Sequence, residues 1–522
     1  MISLIVLFTG CYKDLGNYDY VDINEFSIDI LPKAQEYNEE YFSYSYVYRQ
    51  PANDAFEVTY TPEITQTQNQ DDSKIEFEWV VVKNGNRTNK DTISTKELTL
   101  TFEPKVKTTY NVVLKVTDRS NDIQKYRELN IRTQLPFVKS WFVLHGNEGE
   151  RRLGVVDQPD NEAEVEVLND VYQTIHDKPN PFANVTDMYY TAADGANFNE
   201  QEHMVLLEPT EAHYIHPFNM NISLGYNIMI PNPSAKPKLA YGVSNNFIGR
   251  YAVIVSEDGK FFHGGPGGIY YMTETLPEVS NYHVDNIYIA SNSLAIIWDN
   301  NAKRFMYYML GDNYYGWPDG KGRPSGVYVG STLTPMPQEL FLANELINKE
   351  VLWIGPPYDS STEAGASVIL RDNDTGENLL YHFNFDESYD SIITIDKKNI
   401  SNVIMDNNSL FAMSVAFSYQ FFYTLDDTLY HYSIVTEENT AIYTLSPGEE
   451  FTQLKFREPY SHYMVENENH KLGIGVLKNG SIGELHEISF SQAGDVIGQK
   501  VFSNGFGPIK NIEYTFIHRI IR

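Results

Sequence analysis

The sequence predicts an all-β protein, in which a β-sandwich is followed by a β-propeller of about seven blades. The 522 residues include 38 Tyr and 28 Phe, residue types that favour strands. Near the N-terminus, short segments alternate between apolar and polar side chains, and farther along the chain apolar hairpins recur. No segment shows a long helical periodicity. These three observations place nearly all of the ordered chain in strands.

The N-terminus carries a short apolar segment in front of Cys11, the one cysteine of the chain. The ten residues "MISLIVLFTG" are too few to span a bilayer, which takes about 20 apolar residues. Their length is that of a signal-peptide apolar region, and they end in small residues. A lone thiol forms no internal disulfide and cannot build a four-ligand zinc site. We expect a signal peptide over 1–10 and a linker over 11–21; the alternative is a frayed apolar end.

This arrangement resembles a bacterial lipoprotein signal, in which small residues such as Thr9 and Gly10 precede a lipidated cysteine. Lys13 and Asp14 resemble the export signal of Bacteroidetes surface lipoproteins, although only one acid is present. The resemblance implies a covalent lipid on Cys11 and a location in the outer leaflet of the outer membrane, facing the extracellular side.

The charge balance narrows the choice of partners. Lys and Arg number 39 against 70 Asp and Glu, which gives a formal net charge of −31. A chain this acidic is repelled by phosphate backbones, so we expect no nucleic-acid partner. It is also repelled by anionic lipid surfaces, which agrees with a lipid tether rather than a basic membrane-binding face.

The first domain is predicted over 22–135 as a sandwich of short strands. In "YNVVLKVTD" (110–118), alternate apolar residues share one face, and "RELNIRT" follows after a turn. Upstream, Trp79 lies in a second alternating strand that ends at Asn84-Gly85. Turn signals at intervals of about 8–12 residues are typical of a β-sandwich.

The order of a Trp strand, then Tyr110 to Asp118, then a final strand resembles the polycystic-kidney-disease (PKD) type of immunoglobulin-like domain. Thr109 stands where that family usually has Gly. Domains of this kind are spacers or docking modules, and Trp79 is expected in the core rather than at a ligand.

The second domain is predicted over 137–522. Seven units can be counted in which an apolar run, a polar turn and an aromatic-rich run follow one another. Such a hairpin cannot bury its faces alone, but blades packed around an axis can. We predict one propeller of seven blades, with six or eight blades or a pair of β-sandwiches as alternatives. The units are 141–157, 204–218, 251–265, 294–309, 351–370, 420–434 and 472–489.

Two loops of the second domain are candidate binding sites. The segment 311–324 carries Tyr314, Tyr315 and Trp317 among Gly, Pro and Asp residues, and exposed aromatic faces can stack on sugars or pack on peptides. The alternative is that these rings plug a blade edge or one end of the propeller.

The second loop, "RDNDTGEN", places Asp372, Asp374 and Glu377 close together, as in a calcium loop. It lacks the length and spacing of an EF-hand, and a solvated turn is the favoured interpretation. Apart from these candidates we expect no metal, no cofactor beyond the lipid, and no catalytic residue.

In overall layout the chain resembles the PKD-like family lipoproteins of Bacteroidetes, which accompany SusC/SusD-type nutrient importers. The resemblance implies an accessory subunit that binds substrate or docks to the transporter and neighbouring lipoproteins. Oligopeptides and glycans both remain open as ligands. The alternatives are a cell-surface propeller glycoside hydrolase, which needs a convergent carboxylate pair, and a structural adhesin.

Overall fold

The computed structural model divides the chain into two compact units, Met1–Leu135 and Pro136–Arg522. No helix in the described part of the chain is long and apolar enough to cross a membrane. The structure describes residues 23–516 apart from 35, 40, 50–54, 69–71, 86–87, 89, 104–107, 135–136, 138, 158, 161–164, 192–202, 218–219, 226–229, 231–234, 246–248, 265–271, 275, 278, 280, 291–293, 310–331, 360–364, 386–391, 407 and 458–467.

The first unit is a sandwich of two sheets. One sheet has the order β1-β4-β7 and the other the order β2-β3-β9-β8-β5-β6. All pairs are antiparallel except β3 and β9, which are parallel. The strands are β1 Phe26–Leu31, β2 Glu36–Asn38, β3 Ser43–Arg49, β4 Phe56–Gln66, β5 Ile75–Lys83, β6 Lys90–Ile93, β7 Leu98–Phe102, β8 Thr109–Asp118 and β9 Ile123–Gln134, with a 3₁₀ turn at Asp72–Lys74.

The core of this unit follows the alternation in its strands. Trp79 is completely buried, and its indole nitrogen donates to the backbone carbonyl of Thr95 at 3.0 Å. Leu129 and Ile131 on β9 are likewise buried, as the alternation predicts. Asn84 and Gly85, the first two residues after β5, both have positive φ, a conformation that Asn and Gly adopt most easily.

In the second unit, the described residues form seven sheets of at least four strands each. A short strand, β21, adds to the edge of the fourth sheet in parallel with β25. The elements are β10 Lys139–His145, β11 Arg152–Asp157, β12 Glu166–Leu168, α1 Val171–His176, β13 Asp187–Thr191, β14 His203–Leu207, β15 Ala212–Ile215, β16 Ile222–Gly225, β17 Pro237–Asn245, β18 Gly249–Ser256, β19 Phe261–Gly264, β20 Met272–Glu274, β21 Leu276–Pro277, β22 Val284–Ala290, β23 Leu294–Asp299, β24 Arg304–Met309, β25 Thr332–Pro335, β26 Lys349–Gly355, β27 Gly365–Asp372, β28 Asn378–Phe385, β29 Ile392–Asn399, β30 Phe411–Ala412, β31 Gln420–Leu425, β32 Thr428–Ser433, β33 Glu438–Thr444, β34 Glu449–Phe456, β35 Lys471–Lys478, β36 Ile482–Phe490, β37 Val496–Phe502 and β38 Ile509–Phe516, with 3₁₀ turns at Gln338–Leu340 and Glu468–His470.

Each of the seven hairpins predicted from the sequence falls within a different sheet. Counted outward from the innermost strand of each blade, six of the hairpins correspond to the second and third strands. The hairpin 351–370 corresponds to the first and second strands. The second strands are buried on both faces, as in β27, where six consecutive residues from Gly365 are buried. Strands covered on both sides by neighbouring sheets are apolar throughout. The predicted fold class, a sandwich followed by a propeller of about seven blades, is confirmed.

The first blade contains both ends of the second unit. Its sheet has the order β12-β11-β10-β38, so that the last strand of the chain pairs with the first strand of the unit. In the other blades the innermost strand comes first in the chain. Neighbouring innermost strands contact each other, among them β34 with β38 and β38 with β13. The pairing of β10 with β38 therefore closes the ring.

A buried charge cluster secures this closure, and we call it the closure cluster. Arg457, fully buried after β34, donates from Nε and Nη2 to one carboxylate oxygen of Glu487 at 2.8 and 2.6 Å. It also donates to Asp160 at 3.0 and 3.2 Å and to the Tyr514 hydroxyl at 3.0 Å. The Trp141 indole donates to the same Glu487 oxygen at 2.6 Å. These contacts join the first and last blades.

His145, at the end of β10, ties the closing strand to the blade from the other side. The Gly507 N–H donates to His145 Nδ1 at 3.0 Å, and Nε2 donates to the Asn169 carbonyl at 2.7 Å. This arrangement requires the neutral ring, because protonation at Nδ1 would remove the acceptor. Burial lowers the pKa of His145, although the Asn169 carbonyl opposes the shift.

Arg457→Met tests the closure cluster. Removing the guanidinium leaves the Glu487 carboxylate buried without its cation, which typically costs about 3–5 kcal/mol. We expect a clear fall in the urea midpoint of the full chain. Lys471→Met is the matched control, because Lys471 pairs with the half-buried Asp160 at 2.7 Å and its loss should cost about 1 kcal/mol or less. Equal losses in the two variants would contradict the assignment.

His145 also predicts a pH dependence. Because its pKa is lower in the folded chain than the ordinary value of about 6.5, the unfolded chain takes up a proton below about pH 6.5 that the folded chain does not. Stability should therefore fall as the pH falls through this value. We expect the melting temperature of His145→Gln to fall less over the same pH interval than that of the parent. Parallel pH curves for the two proteins would refute a neutral His145.

Candidate functional site

β-Bulges occur on the innermost strands of most blades and on the outermost strands of four blades. In five of the seven blades, the innermost strand carries one extra residue relative to its neighbour. Bulges of this kind re-aim side chains and are frequent beside functional sites. The extra residues are Lys238, Asp285, Leu352, Thr452 and Lys510.

Polar side chains gather where the innermost strands β34, β38 and β13 meet. We call Asp187, Gln453, Lys455, Asn511 and Glu513 the axial cluster. Lys455 Nζ lies 2.6 Å from the carboxylate of Glu513, which is almost fully buried, whereas the lysine side chain is 34% exposed. The cluster thus combines a buried carboxylate with an ammonium that solvent reaches.

The carboxylate of Glu513 sits in an unusual electrostatic setting. Burial raises its pKa, and the nearby Asp187 adds to the rise. The Lys455 ammonium and the Tyr190 backbone N–H act in the opposite direction. The net result is a raised pKa for a carboxyl group at the axis of the propeller.

The remaining members of the axial cluster bridge neighbouring innermost strands. Asn511 Nδ2 donates to the Met188 carbonyl at 2.8 Å and to the Asp187 carboxylate. Gln453 Nε2 donates to the Lys510 carbonyl at 2.6 Å. The backbone of an edge strand needs such partners, because its outward groups have no strand to pair with. These amides fix the spacing of three strands and hold the cluster in one geometry.

Several residues selected from the sequence cannot be compared with this geometry. The candidate lipid site, the export signal and the candidate aromatic loop all lie outside the described residues. They are Cys11, Lys13, Asp14, Tyr314, Tyr315 and Trp317.

The candidate calcium loop forms the turn between β27 and β28. The Asp372 carboxylate accepts from the backbone N–H groups of Asp374 and Thr375 at 2.9 and 3.2 Å and pairs with Lys349. The Glu377 carbonyl accepts from the Asp372 N–H at 2.8 Å. Nowhere in the described part of the chain do three or more His, Cys, Asp or Glu side chains come together to hold a metal ion. The turn is explained by its own hydrogen bonds.

Sequence reasoning did not find the axial cluster. Asp187 and Asn511 are 324 residues apart in the sequence, Lys455 and Glu513 are 58 apart, and no local motif connects them. One signal was available: "IKNIEYTF" places Asn511 and Glu513 at alternate positions of a strand whose Ile512 and Tyr514 are apolar and buried. Polar side chains inside a buried strand indicate that a partner lies opposite.

Lys455→Met tests the electrostatics of the axial cluster. It leaves the buried Glu513 carboxylate without its cation, which should cost about 1–3 kcal/mol of unfolding free energy near neutral pH. The loss should shrink as the pH falls, because a protonated Glu513 needs no cation. Adding Glu513→Gln to this variant should restore most of the stability. A loss that is independent of pH would show that the ammonium acts only through packing.

Comparison with known protein families identifies a PKD-like segment at the N-terminus. The sequence model of the PKD-like family matches residues 11–179, less than half of the chain, and it extends from Cys11 past the first unit to the end of α1 in the second. The predicted PKD-like domain at the N-terminus is thereby confirmed. A search of curated proteins finds no match to this sequence.

Solved structures with a similar fold are very distant in sequence. A quinonprotein alcohol dehydrogenase-like protein from Bacteroides thetaiotaomicron has a TM-score of 0.42 at 9% identity, covering 90% of this chain and 96% of its own. YCF48 bound to D1 peptide has a TM-score of 0.38 at 9% identity, and the match covers 66% of this chain and 93% of YCF48. Virginiamycin B lyase from Staphylococcus aureus has a TM-score of 0.34 at 9% identity, and the match covers 62% of this chain and 87% of the lyase. These proteins are of the propeller type, and the likeness concerns the fold alone.

Proposed function

We propose that this protein is a surface-exposed outer-membrane lipoprotein and a non-enzymatic accessory subunit of a SusC/SusD-type nutrient importer. The observation that carries the proposal is the layout of the chain. Cys11 follows a short apolar segment, the PKD-like match begins at that cysteine, and a propeller follows. In this scheme a lipid on Cys11 tethers the chain, and the propeller binds oligopeptides or glycans for the importer.

The axial cluster supports a binding role for the propeller. Its amides and ion pair are held by strands from three blades, so that donors and acceptors are fixed before a ligand arrives. Lys455, whose side chain is 34% exposed, offers an ammonium donor at the same place. On a tethered protein, effective concentration makes a modest affinity sufficient for capture. The proposed contribution is local concentration of ligand rather than bond breaking.

One observation favours the alternative of a cell-surface glycoside hydrolase. Glu513 and Asp187 are two carboxylates on neighbouring innermost strands, and a raised pKa is what a general acid needs. Against this, Glu513 is 3% exposed and already bound by Lys455, so a glycosidic oxygen has little access to it. Release of reducing sugars by the purified chain, abolished in Glu513→Gln, would favour the hydrolase.

Cys11→Ala tests the anchor. Without the thiol no acyl chain can be attached, and we expect the protein to leave the outer-membrane fraction and to lose incorporation of an alkyne-labelled fatty acid. Ser27→Ala is a matched control that leaves the thiol in place. Retention of Cys11→Ala in the outer membrane would refute lipid anchoring.

Surface exposure and importer association need separate measurements. External protease added to intact cells should remove the parent protein, and full protection would refute the surface location. Affinity purification from mildly solubilised outer membranes should recover a SusC/SusD-like pair in stoichiometric amounts. Recovery of the anchored protein alone would overturn the importer role while leaving the anchor intact.

A further inference from the structure

The outermost strand of the sixth blade, β33, has an unpaired outer side. Its sheet has the order β30-β31-β32-β33, and no strand in the described part of the chain pairs with β33 on the side away from β32. The first four residues of the strand, 438–441, are all exposed. The bulge at Ile442 follows them, so these four residues keep the regular spacing of a strand. We call residues 438–441 the β33 edge.

The strand register shows which backbone groups of the β33 edge face outward. A two-residue turn joins β31 to β32, with Leu425 opposite Thr428. In such a hairpin the two residues that flank the turn bond to each other, and bonded and non-bonded pairs then alternate along the strands. By this alternation His431 bonds to Thr440 on β33. The residues before and after Thr440 therefore direct their N–H and C=O groups away from the sheet.

The other blades have outer edges that discourage pairing with a foreign strand. Very short strands, Lys side chains and Pro all have this effect. In the described part of the chain, the first four blades end in strands of at most four residues. The fifth blade ends in β29, which carries Lys397 and Lys398, and the seventh in β37, which carries Lys500. By contrast, β33 has seven residues and contains no Lys, Arg or Pro.

Side-chain contacts hold β33 in place at both ends. Asn402, in the connection from the fifth blade, donates to the Glu437 carbonyl at 2.9 Å, and Asn439 donates to the Asn402 carbonyl at 3.4 Å. At the other end, the Tyr443 hydroxyl lies 2.8 Å from His486 Nδ1 in the last blade. Because the strand is already ordered, it loses little conformational entropy when a second chain pairs with it.

The charge of the sixth blade indicates what kind of chain can pair there. Residues 399–454 contain seven acidic residues and no Lys or Arg. Six of the seven are exposed, and within the described residues only Glu449 forms an ion pair, with Lys478 of the last blade at 3.3 Å. Uncompensated like charges destabilise a compact fold, and a partner of opposite charge relieves the repulsion. The seven are Asp406, Asp426, Asp427, Glu437, Glu438, Glu449 and Glu450.

We propose that the β33 edge is a docking strand for an extended segment of a partner protein that carries Lys or Arg side chains. The segment adds to the sixth blade as a further strand, and its main chain bonds to the outward backbone groups. Its cations lie beside Glu437 and Glu438 at the start of β33, and the acids of the blade attract them from solution. An acidic segment is repelled by the same residues. This surface is on the outer side of the propeller, so it is independent of the ligand site proposed at the axis.

Fluorescence anisotropy with the full chain at physiological salt tests this proposal. The probe is a labelled peptide in which Lys and Thr alternate, because Thr favours strands and Lys supplies the charge. It should bind the parent protein, and the matched peptide of alternating Glu and Thr should not. Methylating every backbone nitrogen of the Lys and Thr peptide keeps its charge but removes its main-chain donors. The methylated peptide should bind about tenfold more weakly or less.

Two variants test the place of binding. Ala441→Pro removes an outward N–H but leaves the bonds to β32, because Pro is tolerated where the N–H faces solvent, and it should weaken binding about tenfold. Glu437→Lys combined with Glu438→Lys reverses the charge at the start of β33 and should also weaken binding about tenfold. The matched control combines Glu148→Lys with Glu150→Lys, two exposed acids of the first blade. It changes the net charge equally and should bind nearly as the parent does.

Three results would overturn the proposal. The first is a parent protein that does not bind the Lys and Thr peptide. The second is equal binding of the methylated peptide, which would mean attraction of charges without strand addition. The third is an equal loss in the charge-reversed variants of the sixth and first blades, which would assign the effect to net charge alone. This last comparison remains decisive even if Ala441→Pro does not fold.

Discussion

The pairing of β10 with β38 is the constraint on which the second unit depends. A single four-stranded blade exposes two apolar faces, and these faces are buried only when every blade has a neighbour on each side. A ring with one open joint would leave two such faces in water. The closure cluster answers this need, because Arg457 joins a side chain from the first blade, Asp160, to one from the last, Glu487. Once the ring is closed, the apolar second strands of all blades are buried between neighbouring sheets.

The axial cluster exists because of the same joint. Glu513 and Asn511 belong to the closing strand, and their partners Lys455 and Asp187 belong to the blades on either side. Charged groups come together at this point because strand edges converge there and leave backbone groups that amide side chains must satisfy. Stability and the proposed ligand site thus share residues. A polar centre of this kind restricts how far the blades can shift relative to each other.

The sequence predicts those features that local patterns encode. Strands of the sandwich were recognisable because residues such as Leu129 and Ile131 alternate with polar neighbours, and the blades because strands buried on both faces are uniformly apolar. The axial and closure clusters could not be predicted, since Arg457 and Asp160 are 297 residues apart and their contact depends on ring geometry. The residues from 310 to 331 lie outside the described part of the chain.

The order of strands in the first blade has a consequence for biosynthesis. The innermost strand of that blade, β38, is the last of the described strands to be synthesised. One edge of β10 therefore stays unpaired while the other blades are being made. A chain that stops short of residue 509 lacks the strand that completes the ring. Such a fragment displays an open edge and two bare faces, which are the features that chaperones and proteases recognise in unfinished proteins. Only a chain that includes β38 can pair the free edge of β10.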